Sequence, residues 1–243
     1  MLARLRSRGL LWPTALAVPA LAVLIGLGSW QLQRKAWKED LVARLDARIH
    51  AAPITLDQAL ALWRQTGDVE YVKVRVHGRF QHDKERHLYA PDQKLGPGVH
   101  VYTPLTLSDG AILMVNRGFV PERLRDRRAR AGGSAQGEQE VVGLLRASGV
   151  KESFTPDNDQ GRNLWHWRDL TGMLASVSEG GRQPWIPFFL EAAAEPGNPG
   201  DWPRGGVTIV KLPNRHFEYA LTWFGLALTL IGVYAAFLRA RLA

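Results

Sequence analysis

A histidine stands about one helical turn ahead of a charge-free segment near the end of the chain, and it is the residue best placed to do chemistry. His216 precedes an uncharged run from Tyr219 to Leu238. Roughly 20 residues rising 1.5 Å each cross the roughly 30 Å hydrocarbon core of a bilayer. On a helix advancing about 100° per residue, Trp223, Ala227 and Tyr234 fall within about 20° of His216, with Tyr219 and Ala220 flanking it. An imidazole above aromatic and small side chains can ligate haem iron, which makes His216 the candidate metal ligand and Tyr219 and Trp223 the candidate cofactor contacts. The plainer reading is a histidine that bonds lipid headgroups among ordinary interfacial Trp and Tyr, and on these residues alone it is the stronger. Ionisable groups near a membrane nevertheless remain candidates for function.

The other histidines offer less. His77, His82 and His87 recur every five residues, a spacing that alternates faces along a strand, so surface histidines are expected rather than a metal site. His166 lies between Trp165 and Trp167, and a structural role there outweighs a partner-facing patch. A copper carrier would be expected to show cysteine or clustered methionine ligands, whereas this chain has no Cys and three Met. Searching for catalytic residues finds no cysteine nucleophile, Gly-x-Ser-x-Gly elbow, His-Glu-x-x-His pair or phosphate loop, and no catalytic residue is assigned.

These candidates need elements to position them. A first apolar run, Gly9 to Gln33, follows Arg4, Arg6 and Arg8. Ala20-Leu-Ala22 resembles a signal-peptide cleavage site, but the run continues through Leu27 to an interfacial Trp30, so a retained anchor fits better. Pro13 and Pro19 would bend this helix. Trp30, Arg34, Trp37, Leu41 and Leu45 recur at three- or four-residue steps, which extends it to about Ile49. Thr55 and Gln58 have the form of a capping box opening a short helix through Leu60 and Trp63. Tyr71 to Phe80 alternates as a half-buried strand, with Gly78 at a bulge or close approach. Val99 to Leu107 and Ala111 to Val115, joined by Ser108-Asp109-Gly110, predict an antiparallel hairpin. Further strands are expected at Glu140 to Arg146, Trp185 to Leu190 and Val207 to Leu212, with a helix near Asp169 to Val177. The expected fold is an α+β membrane protein in which two terminal transmembrane helices flank one β-rich extramembrane domain, sheet or barrel-like.

Net charge narrows the partners. The total of +8 is concentrated in the tails, and Arg34 to Asn214 carries 25 basic against 22 acidic residues. That excess is too small for a phosphate-tracking surface, so no nucleic acid is expected. One basic knot, Arg117, Arg123, Arg125, Arg127, Arg128 and Arg130, predicts a solvated loop rather than a site for an acidic partner. Both spans have basic flanks, so the positive-inside rule does not orient them. Two spans put both termini on one side, and the short basic tails favour the cytoplasm.

Four segments together carry a resemblance. Gly28-Ser-Trp-Gln-Leu-Gln-Arg-Lys-Ala-Trp-Lys38, Val74-Arg-Val-His-Gly-Arg-Phe80, Val115-Asn-Arg-Gly-Phe-Val-Pro121 and Pro213-Asn-Arg-His-Phe-Glu-Tyr-Ala-Leu-Thr-Trp-Phe224, set between two terminal spans, resemble the Surfeit locus protein 1 family of cytochrome c oxidase assembly factors. The resemblance implies a non-enzymatic role in maturing the haem-bearing subunit I of the oxidase, with haem a held by the histidine matching His216. Expected partners are subunit I, the haem a synthesis machinery and membrane lipid. The alternative is a scaffold that stabilises oxidase assembly intermediates without binding haem. Gly78, Asn116, Arg117 and Gly118 are motif residues whose role is expected to be structural. The implied layout is a cytoplasmic tail at 1–9, a span at 10–33, a β-rich extracytoplasmic domain at 34–214, a second span with its interfacial approach at 215–238, and a cytoplasmic tail at 239–243. Nine residues ahead of the first span leave no room for a transit peptide, so a bacterial inner membrane with the domain in the periplasm is expected.

Overall fold

The computed structural model describes residues 10–133, 136–178, 184–194, 202–206 and 214–242. The chain forms two compact units, Met1–Asp46 with Lys211–Ala243, and Ala47–Val210.

The first unit is built from helices α1, Leu11–His50, and α4, His216–Leu242. Helix α1 is continuous, so the three- and four-residue periodicity that carries it to about Ile49 is realised. Pro13 falls in its first turn, where backbone N–H groups lack intrahelical partners anyway. The less exposed positions of α1 include 14, 17, 21, 24, 28, 31 and 35, and those of α4 include 216, 220, 223, 227, 230, 234 and 237. Steps of three and four alternate on both, the spacing of a left-handed antiparallel seam. Away from it, Leu16, Val18, Val23, Leu228 and Val233 are all more than half exposed.

The second unit is β-rich. Strand β1, Ile54–Thr55, leads into α2, Leu56–Thr66, and both halves of the predicted capping box are made: Gln58 N donates to Thr55 Oγ1 at 3.3 Å and Thr55 N to Gln58 Oε1 at 2.9 Å. There follow β2, Lys73–Phe80; β3, Arg86–Tyr89; β4, Gly98–Leu107; β5, Ile112–Pro121; β6, Glu138–Arg146; α3, Leu170–Val177; and β7, Trp185–Ala192. The expected hairpin is β4–β5, with Gly110 at φ 82° in its turn. The expected strand at Val207 to Leu212 lies outside the described residues.

Strand order β2-β6-β7-β5-β4 closes into a barrel, because β2 pairs with β6 along Lys73–Arg79 and also with β4 through Gly78, Arg79 and Phe80. Gly78 sits where the strand serves both neighbours. A Cβ there would lie 2.5 Å from the Thr106 carbonyl oxygen, so the close approach expected of Gly78 is real. Strands β1 and β3 are additions to β2 and β4. They are too short and polar to announce themselves by alternation. Every residue of β5 is buried. Leu113 and Val115 join the core of Val74, Val76, Leu105, Val141 and Leu190, while Ile112 and Met114 face a second cluster under α3 with Tyr102, Trp165 and Phe189.

Two expectations about charge are corrected. His82 and His87 are not surface residues; they are 6% and 8% exposed, and only His77 lies open, beside Glu140. The arginine segment is not simply a solvated loop, since Arg117 and Arg130 are buried. Glu85 accepts from Arg130 and is 2.9 Å from His87 Nε2, while Arg125 Nε donates to His87 Nδ1 at 3.2 Å. Arg117 contacts His82 Nδ1 at 3.3 Å and lies over the Phe80 ring. Hydrophobic periodicity cannot reveal such pairing, because the partners are about 35 to 45 residues apart.

Burial pushes the Glu85 carboxyl up, but the hydrogen bond from His87 and the charge of Arg130 outweigh it and hold the group below its usual 4.5. A depressed carboxyl contributes stability that is complete above its ordinary range and lost as pH falls through the lowered value. Acid titration followed by circular dichroism should therefore show stability falling below pH 4.5. Glu85→Gln should flatten that slope and destabilise the domain by about 3 kcal/mol at neutral pH, because Arg130 stays buried without its anion.

Candidate functional site

The helix pair is held by a ladder of specific contacts running antiparallel. Thr14 Oγ1 is hydrogen-bonded to the Tyr234 hydroxyl at one end. Gly28 faces the ring of Phe224, to which a Cβ would come within 2.7 Å. Beyond it Gln31 Oε1 lies 2.7 Å from His216 Nδ1, and Asn214 Nδ2 is 3.5 Å from the Lys35 carbonyl oxygen. Ala220 and Ala227, 1% and 4% exposed, are the small residues of α4 that permit this approach.

His216 is half-buried at the start of α4, and Asn214 Oδ1 accepts from its backbone N–H at 3.4 Å. An amide oxygen can only accept, so Nδ1 carries the proton and donates to Gln31. That leaves the Nε2 lone pair, which makes no hydrogen bond among the described residues. A metal-ligating histidine ordinarily has its second nitrogen held in this way.

The expected site residues separate. Trp223, Ala227 and Tyr234 do share the His216 face, but that face is turned into the α1 seam, which occupies the anticipated wall. Trp223 is half-buried there. Tyr219 lies outside the seam, 55% exposed, as is Phe217 at 50%. Aromatic surface beside the histidine is therefore supplied by Tyr219 and Phe217 rather than by the stripe below it. The residue missed is Gln31. Its signal was present, since a buried amide in an apolar helix bonds across to a neighbour. His166 lies elsewhere, on a cleft of the β-rich unit.

The motif residues of β5 have structural roles. Asn116 Oδ1 accepts from Gly118 N at 3.0 Å, and Gly118 has φ 120° with a Cβ position that the Arg204 carbonyl already occupies. The pairing of β4 with β5 shifts register between His100 and Tyr102 as a result.

The architecture defines a class: a closed β-barrel domain inserted between two long apolar helices that pair around a Gln–His contact. A sequence profile described as the SURF1 family matches residues 18–228. The chain is 34% identical over 247 residues to a SURF1-like protein of Monosiga brevicollis, covering 97% of this chain and 90% of that one. It is 37% identical over 227 residues to Surfeit locus protein 1 of Mus musculus, covering 87% and 70%, and 35% identical over 229 residues to that of Homo sapiens, covering 87% and 72%. This chain belongs to the SURF1 family.

The seam distinguishes two glycines. Among the described residues a Cβ at Gly26 meets nothing within 4 Å, whereas one at Gly28 runs into Phe224. Thermal unfolding of the full chain should show Gly28→Leu destabilised by about 2 kcal/mol as the helices are pushed apart, with Gly26→Leu within about 0.5 kcal/mol of the parent.

Proposed function

We propose that this SURF1-family protein is a membrane-spanning assembly factor for cytochrome c oxidase that holds haem a through His216 Nε2 and passes it to subunit I. The observation carrying the proposal is the Gln31–His216 hydrogen bond, which fixes the ring and the tautomer that iron requires. Haem a would be the cargo, and its iron would take one imidazole as a ligand. His216 offers the lone pair, Gln31 orients it, and Tyr219 and Phe217 supply exposed aromatic surface. No catalytic step is assigned to the chain.

Membrane insertion is supported by two helices of sufficient length and apolarity, with only 6% of each apolar window buried. A water-facing protein would rarely leave such long stripes of Leu, Val and Ile open. Both termini then share one side, and we place the β-rich domain on the opposite one. The named relatives are eukaryotic, so the expectation of a bacterial inner membrane with a periplasmic domain draws nothing from them. Subunit I, the haem a synthesis machinery and lipid are the proposed partners.

A scaffold without haem is the second reading. An apolar groove of about 300 Å³ lined by Ala17, Val18, Leu21, Leu230, Ile231 and Tyr234 favours it, because a partner helix could lie there. Co-expression with haem a synthesis, followed by visible spectroscopy of the detergent-purified full chain, separates the two. On the haem reading His216→Ala abolishes the signal and Gln31→Leu weakens binding about 10- to 100-fold. Equal haem in both variants would remove His216 as the ligand, and intact oxidase maturation in His216→Ala would favour the scaffold.

A further inference from the structure

The β-rich unit carries a second feature, independent of the helix pair. An open cleft of about 590 Å³ is lined by residues including His100, Tyr102, Arg146, Trp167, Arg168 and Glu191. At its floor Tyr102 is 0% exposed, and its hydroxyl has no hydrogen bond of ordinary geometry among the described residues. Arg168 is the nearest donor to that hydroxyl, and a guanidinium can only donate, so the phenolic proton is left without an acceptor among the described residues. An unpartnered buried hydroxyl gives up its hydrogen bonds to water with nothing in return, and phenylalanine would fill the same space without that cost.

The guanidinium groups around the cleft are matched by carboxylates. Glu191 accepts from Arg168 Nη1 at 3.0 Å and lies 3.4 Å from Arg146 Nη1, while Arg146 Nε donates to Glu70 at 2.6 Å. Two guanidinium groups meet Glu191 and Glu70, and Glu152 adds a further carboxylate to the lining, so an anion finds no unmatched partner. Burial pushes the Tyr102 hydroxyl well above its ordinary range, and burial also lowers His100. Tyr102 therefore remains a donor. His100 Nδ1 lies 3.5 Å from Asn116 Nδ2, an amide donor, which leaves Nε2–H as the ring's donor. Trp167 and His166 line the cleft with flat aromatic surface.

The register shift between His100 and Tyr102 falls at this place. Bulges are frequent where a strand re-aims side chains at a site. Gly118 and Asn116, which build the irregularity, thus serve the cleft as well as the strand.

We infer that this cleft binds a small neutral compound with a flat ring and a carbonyl oxygen, of the quinone class, the carbonyl accepting from Tyr102 and the ring lying against Trp167. The Tyr102 hydroxyl is then satisfied only in the complex, and the charge balance selects against the carboxylate of the same ring. The chain has no cysteine, so a quinone probe cannot be trapped by thiol addition.

Isothermal titration of the detergent-purified full chain with menadione, and with naphthoate for comparison, tests this. Saturable menadione binding is expected, at least about tenfold tighter than naphthoate. Tyr102→Phe should weaken it about tenfold, one lost hydrogen bond to a neutral group, while its thermal midpoint stays equal or rises. His77→Ala, an exposed histidine away from the cleft, should bind menadione as the parent does. No saturable binding, equal affinity for naphthoate, or unchanged binding in Tyr102→Phe would each overturn the inference. The last result would leave Tyr102 as a core hydroxyl that no ligand in the cleft reaches.

Discussion

Close approach of two apolar helices is the constraint on which the Gln–His contact depends. Gln31 reaches across to His216 only because Gly28, Ala220 and Ala227 let the backbones come near. In an apolar setting there is little hydrophobic gain from pairing helices, so packing of small residues and cross-helix hydrogen bonds must carry the association. The seam meets that demand with Thr14–Tyr234 at one end, Gln31–His216 and Asn214–Lys35 at the other, and Gly28 against Phe224 between them. Each polar contact also fixes register, since a slip by one residue would strand an amide or imidazole in apolar surroundings.

The β-rich unit solves a different problem, that of closing a sheet with few strands. Strand β2 must serve β6 and β4 at once, and Gly78 removes the side chain that would collide with the Thr106 carbonyl where it does so. The irregularity at Arg117 and Gly118 lets β5 turn while keeping its pairing, at the expense of a positive φ that only glycine accommodates readily. Closure removes most exposed sheet edges, which limits unwanted strand pairing. Buried ion pairs around Glu85 and Glu191 then tie loops to the barrel wall.

What could be read in the sequence was what periodicity and local turn chemistry encode. The continuation of α1 past its apolar run, the Thr55–Gln58 box, the β4–β5 hairpin and the strand ranges near 73–80, 138–146 and 185–192 follow from spacing over a few residues. Barrel closure was not legible, because it depends on β2 meeting β4 across 25 to 29 residues. The burial of His82, His87 and Arg130 was hidden for the same reason, since charge composition reports a loop while pairing across the fold decides solvation. At the candidate site His216 was legible as a histidine about one turn ahead of a charge-free run. The helical wheel then placed Trp223 and Tyr234 correctly on its face, but a wheel of one helix cannot say that another helix covers that face.

The identity of the histidine's partner bears on how such a carrier would let go. A carboxylate in place of Gln31 would raise the basicity of the imidazole and strengthen its bond to iron, and it would also set a charge beside two apolar helices at a cost of a few kcal/mol. A neutral amide orients the ring with neither effect. With the anticipated aromatic wall taken up by α1, a haem cargo of the kind proposed would meet one oriented nitrogen and the exposed surface of Tyr219 and Phe217. Binding of that kind would be selective in geometry and modest in strength. An acceptor that enclosed the ring and offered a second ligand would then take it over without any conformational work by the carrier, because release would require only that the acceptor bind more tightly.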